Sequence, residues 1–81
     1  MKVYYHENFY DSLKNFPDFV KKKLKKQISY LLLDLRHPSL HAKKYDESQN
    51  IWQARVDKSI RFYFSIEGEN YFLLDIKNHP K

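Results

Sequence analysis

The hydrophobic pattern of this chain changes its period once, near residue 50, and the change determines what each half can form. Before it, apolar residues recur three or four positions apart, which is typical of amphipathic helices. After it, apolar and polar residues alternate, which is typical of half-buried β-strands. No repeat, low-complexity tract or linker separates the halves. The pattern therefore predicts a single α+β domain over residues 1–81.

The first half contains two predicted helices. A short helix over residues 8–16 is followed by a longer, lysine-rich one that stops before Pro38. The longer helix carries one apolar stripe, formed by Val20, Leu24, Ile28, Leu31 and Leu35. Residues 1–6 precede both helices and have the pattern of a short strand.

The second half predicts three strands, separated by turns at residues 57–59 and 67–70. Two N-terminal helices would then pack on a small antiparallel β-sheet in the order β-α-α-β-β-β. If Val56, Phe62 and Phe72 face the helices, the parity of an antiparallel sheet assigns the alternate residues to the open face. These are Arg55, Arg61, Tyr63, Asp75, Lys77 and, if the last strand continues, His79.

This parity depends on the last turn. A two-residue turn at Gly68–Glu69 would invert the last strand relative to the others.

The same reasoning leaves Tyr63 and Tyr71 as the exposed aromatic residues of the sheet, able to stack on nucleobases. The remaining aromatic residues are predicted to form the core.

Composition excludes several classes of function. The chain has no cysteine and one glycine, so thiolate metal sites, iron–sulfur clusters, Walker loops and dinucleotide fingerprints are not expected. His37 and His41 have a metal-like spacing, but Pro38 lies between them and a third ligand is lacking. No long apolar run or signal peptide is apparent. We expect a cytoplasmic protein without membrane association, metal or other cofactor.

The charge balance indicates a polyanionic partner. Fifteen Lys and Arg against ten Asp and Glu give a net charge of +5 and a pI near 9.4. Nucleic acid, an acidic protein segment and a membrane surface all fit this charge. The lysines at positions 21–26 can serve such a partner or be the solvated face of a helix.

Arg55 and Arg61 are unusual residues for these strand positions. A guanidinium binds phosphate through two parallel hydrogen bonds and stays charged at any working pH. The alternative is structural ion pairing, of Arg61 with Asp75 and of Arg55 with Asp57. If Arg61 lies on an open face, its truncation is expected to cost little stability.

The chain resembles the RelE/ParE toxin superfamily along nearly its whole length, and in particular the RelE-like mRNA interferase branch. The motifs that carry the resemblance are Lys43-Lys44-Tyr45, Ile51-Trp52-Gln53-Ala54-Arg55-Val56, Ile60-Arg61-Phe62-Tyr63-Phe64, Leu73-Leu74-Asp75-Ile76 and His79. The resemblance implies a toxin of a type II toxin–antitoxin pair. Its implied partners are an antitoxin protein and mRNA, either free or bound to the ribosome. It implies a metal-independent endoribonuclease in which a 2′-hydroxyl attacks the adjacent phosphate.

The resemblance also implies residue roles. Arg61 would stabilise the phosphate, Arg55 would neutralise charge, and His79 would act as general acid or base. The residues expected to bind the RNA are Lys43, Lys44, Tyr63 and Lys77.

Two further functions stay open on the same fold: a ParE-type inhibitor of DNA gyrase, and an inactive homologue that only binds an antitoxin. Gln53 stands where the archetypal RelE toxin has lysine, and the sequence ends at Lys81 without the C-terminal catalytic tyrosine of many members. Tyr63 would then have to replace this tyrosine. If His79 belongs to a frayed terminus, the chemistry would instead fall to Tyr63 or Lys44.

Overall fold

A computed structural model describes residues 1–78. Its elements are β1 (Lys2–Tyr5), α1 (Glu7–Leu13), α2 (Asp18–Leu33), a 3₁₀ turn (Pro38–Leu40), β2 (Lys43–Asp46), β3 (Ile51–Arg55), β4 (Ile60–Glu67) and β5 (Asn70–Asn78). The predicted α+β class and the two N-terminal helices are confirmed. None of the described helices is long and apolar enough to cross a membrane.

The sheet has five strands in the order β1-β5-β4-β3-β2. Neighbouring strands are antiparallel except β1, which pairs with β5 in parallel. The sheet is therefore mixed rather than wholly antiparallel. The strand β2 forms one edge of the sheet. The sequence indicates residues 37–50 as a polar loop in which a strand could start, and the exposure of β2 explains why its apolar alternation is weak.

The prediction of which sheet face each β5 side chain occupies is wrong for the first half of the strand. Gly68 has a positive φ of 60° and the turn contains two residues, so Glu67 pairs with Asn70. This turn buries Tyr71 and Leu73 in the core, contrary to the prediction that Tyr71 is exposed. The same prediction is wrong for Tyr63, whose surface is only 9% exposed because the neighbouring side chains of the sheet cover it. Phe72 instead lies on the other face, where its ring stacks on Tyr4 with centroids 5.3 Å apart.

A β-bulge corrects the inversion further along β5. Tyr63 pairs with Asp75 but Phe64 pairs with Leu73, so Leu74 is an extra residue on β5. Beyond the bulge Ile76 is buried again, with 2% of its surface exposed. The predicted open-face positions of Asp75 and Lys77 are thereby kept.

The core lies between the helices and the closed face of the sheet. Its largest fully buried side chains are Phe9, Phe62, Phe64, Leu31, Leu40, Leu73, Ile76 and Val20. Leu35 lies beyond the end of α2 and is only partly buried, because the helix ends where Asp34 becomes extended. α1 is also shorter than predicted, and residues 14–16 continue it as a turn.

Gln27 ties α2 to the strand that carries Arg55. Its side chain is buried; the amide nitrogen donates to the carbonyl oxygens of Ser39 (3.0 Å) and Arg55 (2.8 Å), and its oxygen accepts from the Ser39 hydroxyl (2.9 Å). All its hydrogen-bonding groups are therefore used, and the backbone of β3 is fixed next to Arg55.

Replacing Gln27 by alanine is expected to lower the free energy of unfolding by about 2 kcal/mol, because two carbonyl oxygens lose their donor. Urea denaturation measures the change. Ser29→Ala, on the exposed side of the same helix, is the control and should change stability by less than about 0.5 kcal/mol. An equal effect of both variants would contradict the role of Gln27.

Candidate active site

The register of the sheet brings the predicted polar residues together on its open face. Arg55 lies opposite Arg61, which lies opposite Lys77. The neighbouring row runs from Lys43 through Gln53 and Tyr63 to Asp75. Directly opposed side chains of antiparallel strands are about 5 Å apart at Cβ, so these two rows form one continuous polar surface.

Arg61 is held rigidly. Only 7% of its surface is exposed, and its Nη1 donates to the carbonyl oxygens of Asp57 (2.8 Å), Lys58 (3.1 Å) and Ile60 (3.3 Å). Its Nε and Nη2 donate to no acceptor among residues 1–78. One edge of the guanidinium is thus anchored, while the edge suited to a bidentate phosphate contact is unused. The burial and the anchoring also mean that truncation will cost stability, contrary to the sequence-based expectation.

The turn that anchors Arg61 is shaped by the carboxylate of Asp57. It accepts hydrogen bonds from the backbone nitrogens of Ser59 and Ile60, both 2.9 Å away. Burial alone would raise the pKa of Asp57, but these bonds and the charge of Lys23 outweigh it and hold that pKa below its ordinary value. Asp57 therefore stays ionised and keeps the turn closed around Arg61.

The ion pairs considered from the sequence are not formed. Asp57 pairs with Lys23 at 3.7 Å, and Asp75 pairs with Lys77 at 3.6 Å. Within residues 1–78, neither Arg55 nor Arg61 has a carboxylate oxygen within 4.0 Å. Two neighbouring guanidiniums without a counterion repel each other, and an anion between them would relieve that cost.

A concave site of about 420 Å³ surrounds the two arginines, and its lining is mainly polar. The residues that line it are His41, Ala42, Lys43, Gln53, Arg55 and Arg61. The predicted residues Arg55, Arg61 and Lys43 thus share one pocket. Groups of three or more metal-ligating side chains are absent from the described part of the chain.

Three of the other predicted residues, Lys44, Tyr63 and Lys77, do not line this pocket. Lys44 points away from this pocket: it pairs with Trp52 in the register, and its Nζ lies 5.3 Å from the centre of that ring. Tyr63 and Lys77 line a second, adjoining pocket. The predicted residue His79 lies outside the described residues.

His41 is a residue that the sequence reasoning considered only as a metal ligand. It follows the 3₁₀ turn in a left-handed conformation, with φ 47° and ψ 42°, and is exposed at the rim of the pocket. Its position two residues before Lys43 is the signal that could have placed it there. An imidazole beside two guanidiniums adds a side chain able to act as general acid or base, a role that the guanidiniums cannot fill.

The architecture is that of known toxins. The chain is similar to the YoeB/ParE toxin from Agrobacterium tumefaciens, with a TM-score of 0.81, 13% identity, and coverage of 99% of this chain and 100% of that one. It is also similar to the RelB–RelE antitoxin–toxin complex from Methanococcus jannaschii, with a TM-score of 0.76, 20% identity, and coverage of 94% and 89%. A third similar structure is the intact E. coli RelBE toxin–antitoxin complex. Its TM-score is 0.74, its sequence identity is 15%, and the match covers 98% of this chain and 96% of that one. No protein-family model and no curated protein matches the sequence.

Proposed function

Because this chain has the RelE/ParE-like toxin fold, we propose that it is the toxin of a type II toxin–antitoxin pair and cleaves mRNA as a metal-independent endoribonuclease. The observation that carries the proposal is a pair of arginines with no carboxylate partner among residues 1–78, on an open sheet face and beside an imidazole. RNA supplies the phosphate anion that this pair lacks. Its place of action is the cytoplasm, where mRNA and ribosomes meet it.

The reaction requires charge stabilisation at the phosphate. The 2′-hydroxyl attacks the adjacent phosphorus, the bond to the 5′-oxygen breaks, and negative charge builds on the two non-bridging oxygens. Arg61 binds these oxygens through Nε and Nη2, which donate to no acceptor in the described part of the chain and are already oriented by the turn. Arg55 adds a second positive charge from the neighbouring strand, and Lys43 and Gln53 hold the backbone at the rim.

The reaction also requires two proton transfers, from the 2′-hydroxyl and to the 5′-oxygen. Guanidiniums do not release protons at neutral pH, so Arg55 and Arg61 are not the base. We assign these transfers to the two imidazoles, His41 at the pocket rim and His79 beyond β5. Lys44 is not part of the proposed site.

Messenger RNA is favoured over DNA gyrase because the site is concave, polar and suited to one phosphate. Primer-extension mapping of mRNA 5′ ends after induction should reveal new ends in the wild type and none with Arg61→Ala. A gyrase supercoiling assay on the same preparation should show no inhibition. Inhibition of gyrase without new mRNA ends would support the ParE-type alternative, and neither effect would support the inactive homologue.

The proposed protein partner is an antitoxin with acidic and apolar residues. Several structural neighbours were solved as such complexes, among them RelB–RelE and DinJ–YafQ. Here an apolar groove of about 370 Å³ between the helices is flanked by Lys21 and Lys25 and contains Tyr10. An amphipathic acidic segment fits both the lysines and the apolar floor of this groove.

Binding of the cognate antitoxin is expected to weaken about tenfold between 50 and 300 mM salt, because screening reduces the attraction between exposed charges. Lys25→Glu should weaken it further and flatten the salt dependence. Lys58→Glu changes the net charge equally but lies on the β3–β4 turn, so it is the control. Fluorescence titration measures both, and an affinity that is independent of salt would place the interface away from α2.

A further inference from the structure

A second pocket adjoins the candidate active site on the same sheet face. Its volume is about 500 Å³, and it is lined in part by Tyr45, Tyr63, Leu74, Asp75 and Lys77. Building on the proposed RNA substrate, we propose that this pocket binds a guanine base next to the phosphate held by Arg61. It would give the enzyme a sequence preference that the arginines alone do not supply.

The distance between the two pockets suits one nucleotide. Tyr63 lies opposite Gln53, and Lys77 lies opposite Arg61, so each pair joins a residue of one pocket to a residue of the other. Opposed side chains are about 5 Å apart at Cβ. A nucleotide whose phosphate contacts Arg61 can therefore place its base against Tyr63 without leaving the sheet face.

The pocket offers an aromatic surface for stacking. Tyr45 is 61% exposed, and its ring meets that of Tyr63 edge-on, with centroids 4.9 Å apart and planes 63° apart. This contact restrains Tyr45, so stacking of a base on it costs less side-chain entropy. Burial and, second, Tyr45 raise the pKa of Tyr63, so its hydroxyl stays a hydrogen-bond donor at neutral pH.

Among the polar groups of the pocket, which include His6 and Asn8, the carboxylate of Asp75 is already oriented. Asp75 Oδ1 accepts from the Ser12 hydroxyl (2.6 Å) and from the backbone nitrogen of Ile76 (2.9 Å). Oδ2 accepts no hydrogen bond from residues 1–78 and lies 3.6 Å from the Lys77 Nζ. The β-bulge makes this possible, because it directs the consecutive residues Leu74 and Asp75 to the same pocket.

Guanine matches this arrangement better than the other bases. Its Watson–Crick edge presents two adjacent donors, N1–H and N2–H, to Asp75 Oδ2, and the neighbouring O6 accepts from Lys77. Adenine has an acceptor at N1 and an amino group at position 6, so the same pose sets an acceptor against the carboxylate and a donor against the ammonium. Cytosine and uracil have smaller rings and fewer donors.

The test uses 2′-O-methyl oligouridine, which lacks the attacking hydroxyl, with one central guanosine, inosine or adenosine. Fluorescence anisotropy should give about tenfold tighter binding for guanosine than for adenosine, with inosine in between, since it lacks the N2 amino group. Asp75→Asn should reduce this ratio to less than threefold. The amide oxygen of asparagine still accepts from Ser12 and Ile76, so the fold is preserved.

Arg61→Ala distinguishes failure of this inference from failure of the proposed function. It should weaken binding of all three RNAs about equally and leave the base preference intact. Equal binding of guanosine and adenosine by the wild type, or a preference that survives Asp75→Asn, would overturn the guanine pocket while Arg61-dependent RNA binding stands. RNA binding that does not depend on Arg61 would overturn the proposed function, and the guanine pocket with it.

Discussion

Arg61→Ala is expected to lower the rate of RNA cleavage by about 10²–10³-fold and to relieve the growth arrest caused by the toxin. The physical reason is the loss of a fixed donor pair at the phosphate, where one such contact contributes about 3–4 kcal/mol in the transition state. Single-turnover cleavage of a short RNA measures the effect. A folded Arg61→Ala protein that cleaves at the wild-type rate would show that the site is elsewhere.

This variant needs a stability control, because Arg61 also binds three carbonyl oxygens of the β3–β4 turn. Truncation is expected to cost about 1–3 kcal/mol of folding free energy, so urea titration must accompany the kinetics. Arg61→Lys keeps the charge but not the two-pronged geometry, and should recover only part of the rate. Lys58→Ala removes an exposed cation from the same turn and should leave the rate within about twofold.

The fold could be predicted from the sequence to the extent that apolar periodicity determines it. The helix α2 was the clearest case, because Val20, Leu24, Ile28 and Leu31 form an unbroken stripe and all are buried. The sequence indicates β2 only as a strand start within the polar loop at residues 37–50, for the opposite reason. It is an edge strand whose residues are mostly exposed, so burial leaves no alternation in the sequence.

The sheet face occupied by each β5 side chain could not be predicted, because two irregularities each shift the alternation of the strand by one residue. The two-residue turn at Gly68–Glu69 inverts the strand, and the bulge at Leu74 inverts it back. The prediction for Asp75 and Lys77 was therefore right, whereas the prediction for Tyr71 and Phe72 was wrong. A bulge is hard to predict from sequence, because apolar and polar residues alternate normally before and after the one extra residue.

The pairing of the two arginines was predictable, since parity alone sets Arg55 opposite Arg61 once the turn between them is short. That neither arginine pairs with a carboxylate in the span from residue 1 to residue 78 was not predictable. It depends on Lys23 reaching Asp57 from α2 and on Ser12 and Lys77 occupying Asp75. These are tertiary contacts between residues far apart in sequence.

Removing either imidazole is expected to have the largest effect on catalysis. His41→Ala and His79→Ala should each lower the single-turnover rate by about 10²–10⁴-fold, the usual contribution of general acid–base catalysis, with little change in RNA affinity. Arg55→Ala should behave differently, weakening RNA binding and reducing its salt dependence, because its role is to neutralise phosphate charge. Rates and affinities measured separately distinguish the two classes of residue.

The pH dependence identifies the two roles. If one imidazole accepts the proton of the 2′-hydroxyl and the other protonates the 5′-oxygen, the wild-type rate between pH 5 and 9 should follow a bell-shaped curve whose apparent pKa values belong to the pair. Each alanine variant should lose one limb of this curve.

His37→Ala is the matched control for these variants. The ring of His37 stacks on Tyr30 with centroids 3.9 Å apart, and its Nδ1 accepts from the backbone nitrogen of Ser39, so it is an imidazole close in sequence that does not line the active-site pocket. Its removal should leave both limbs in place. A flat wild-type profile, or wild-type rates in both the His41 and the His79 variants, would show that neither imidazole carries the proton. Tyr63 in the adjoining pocket would then be the next residue to test, and its raised pKa would limit it to the role of acid.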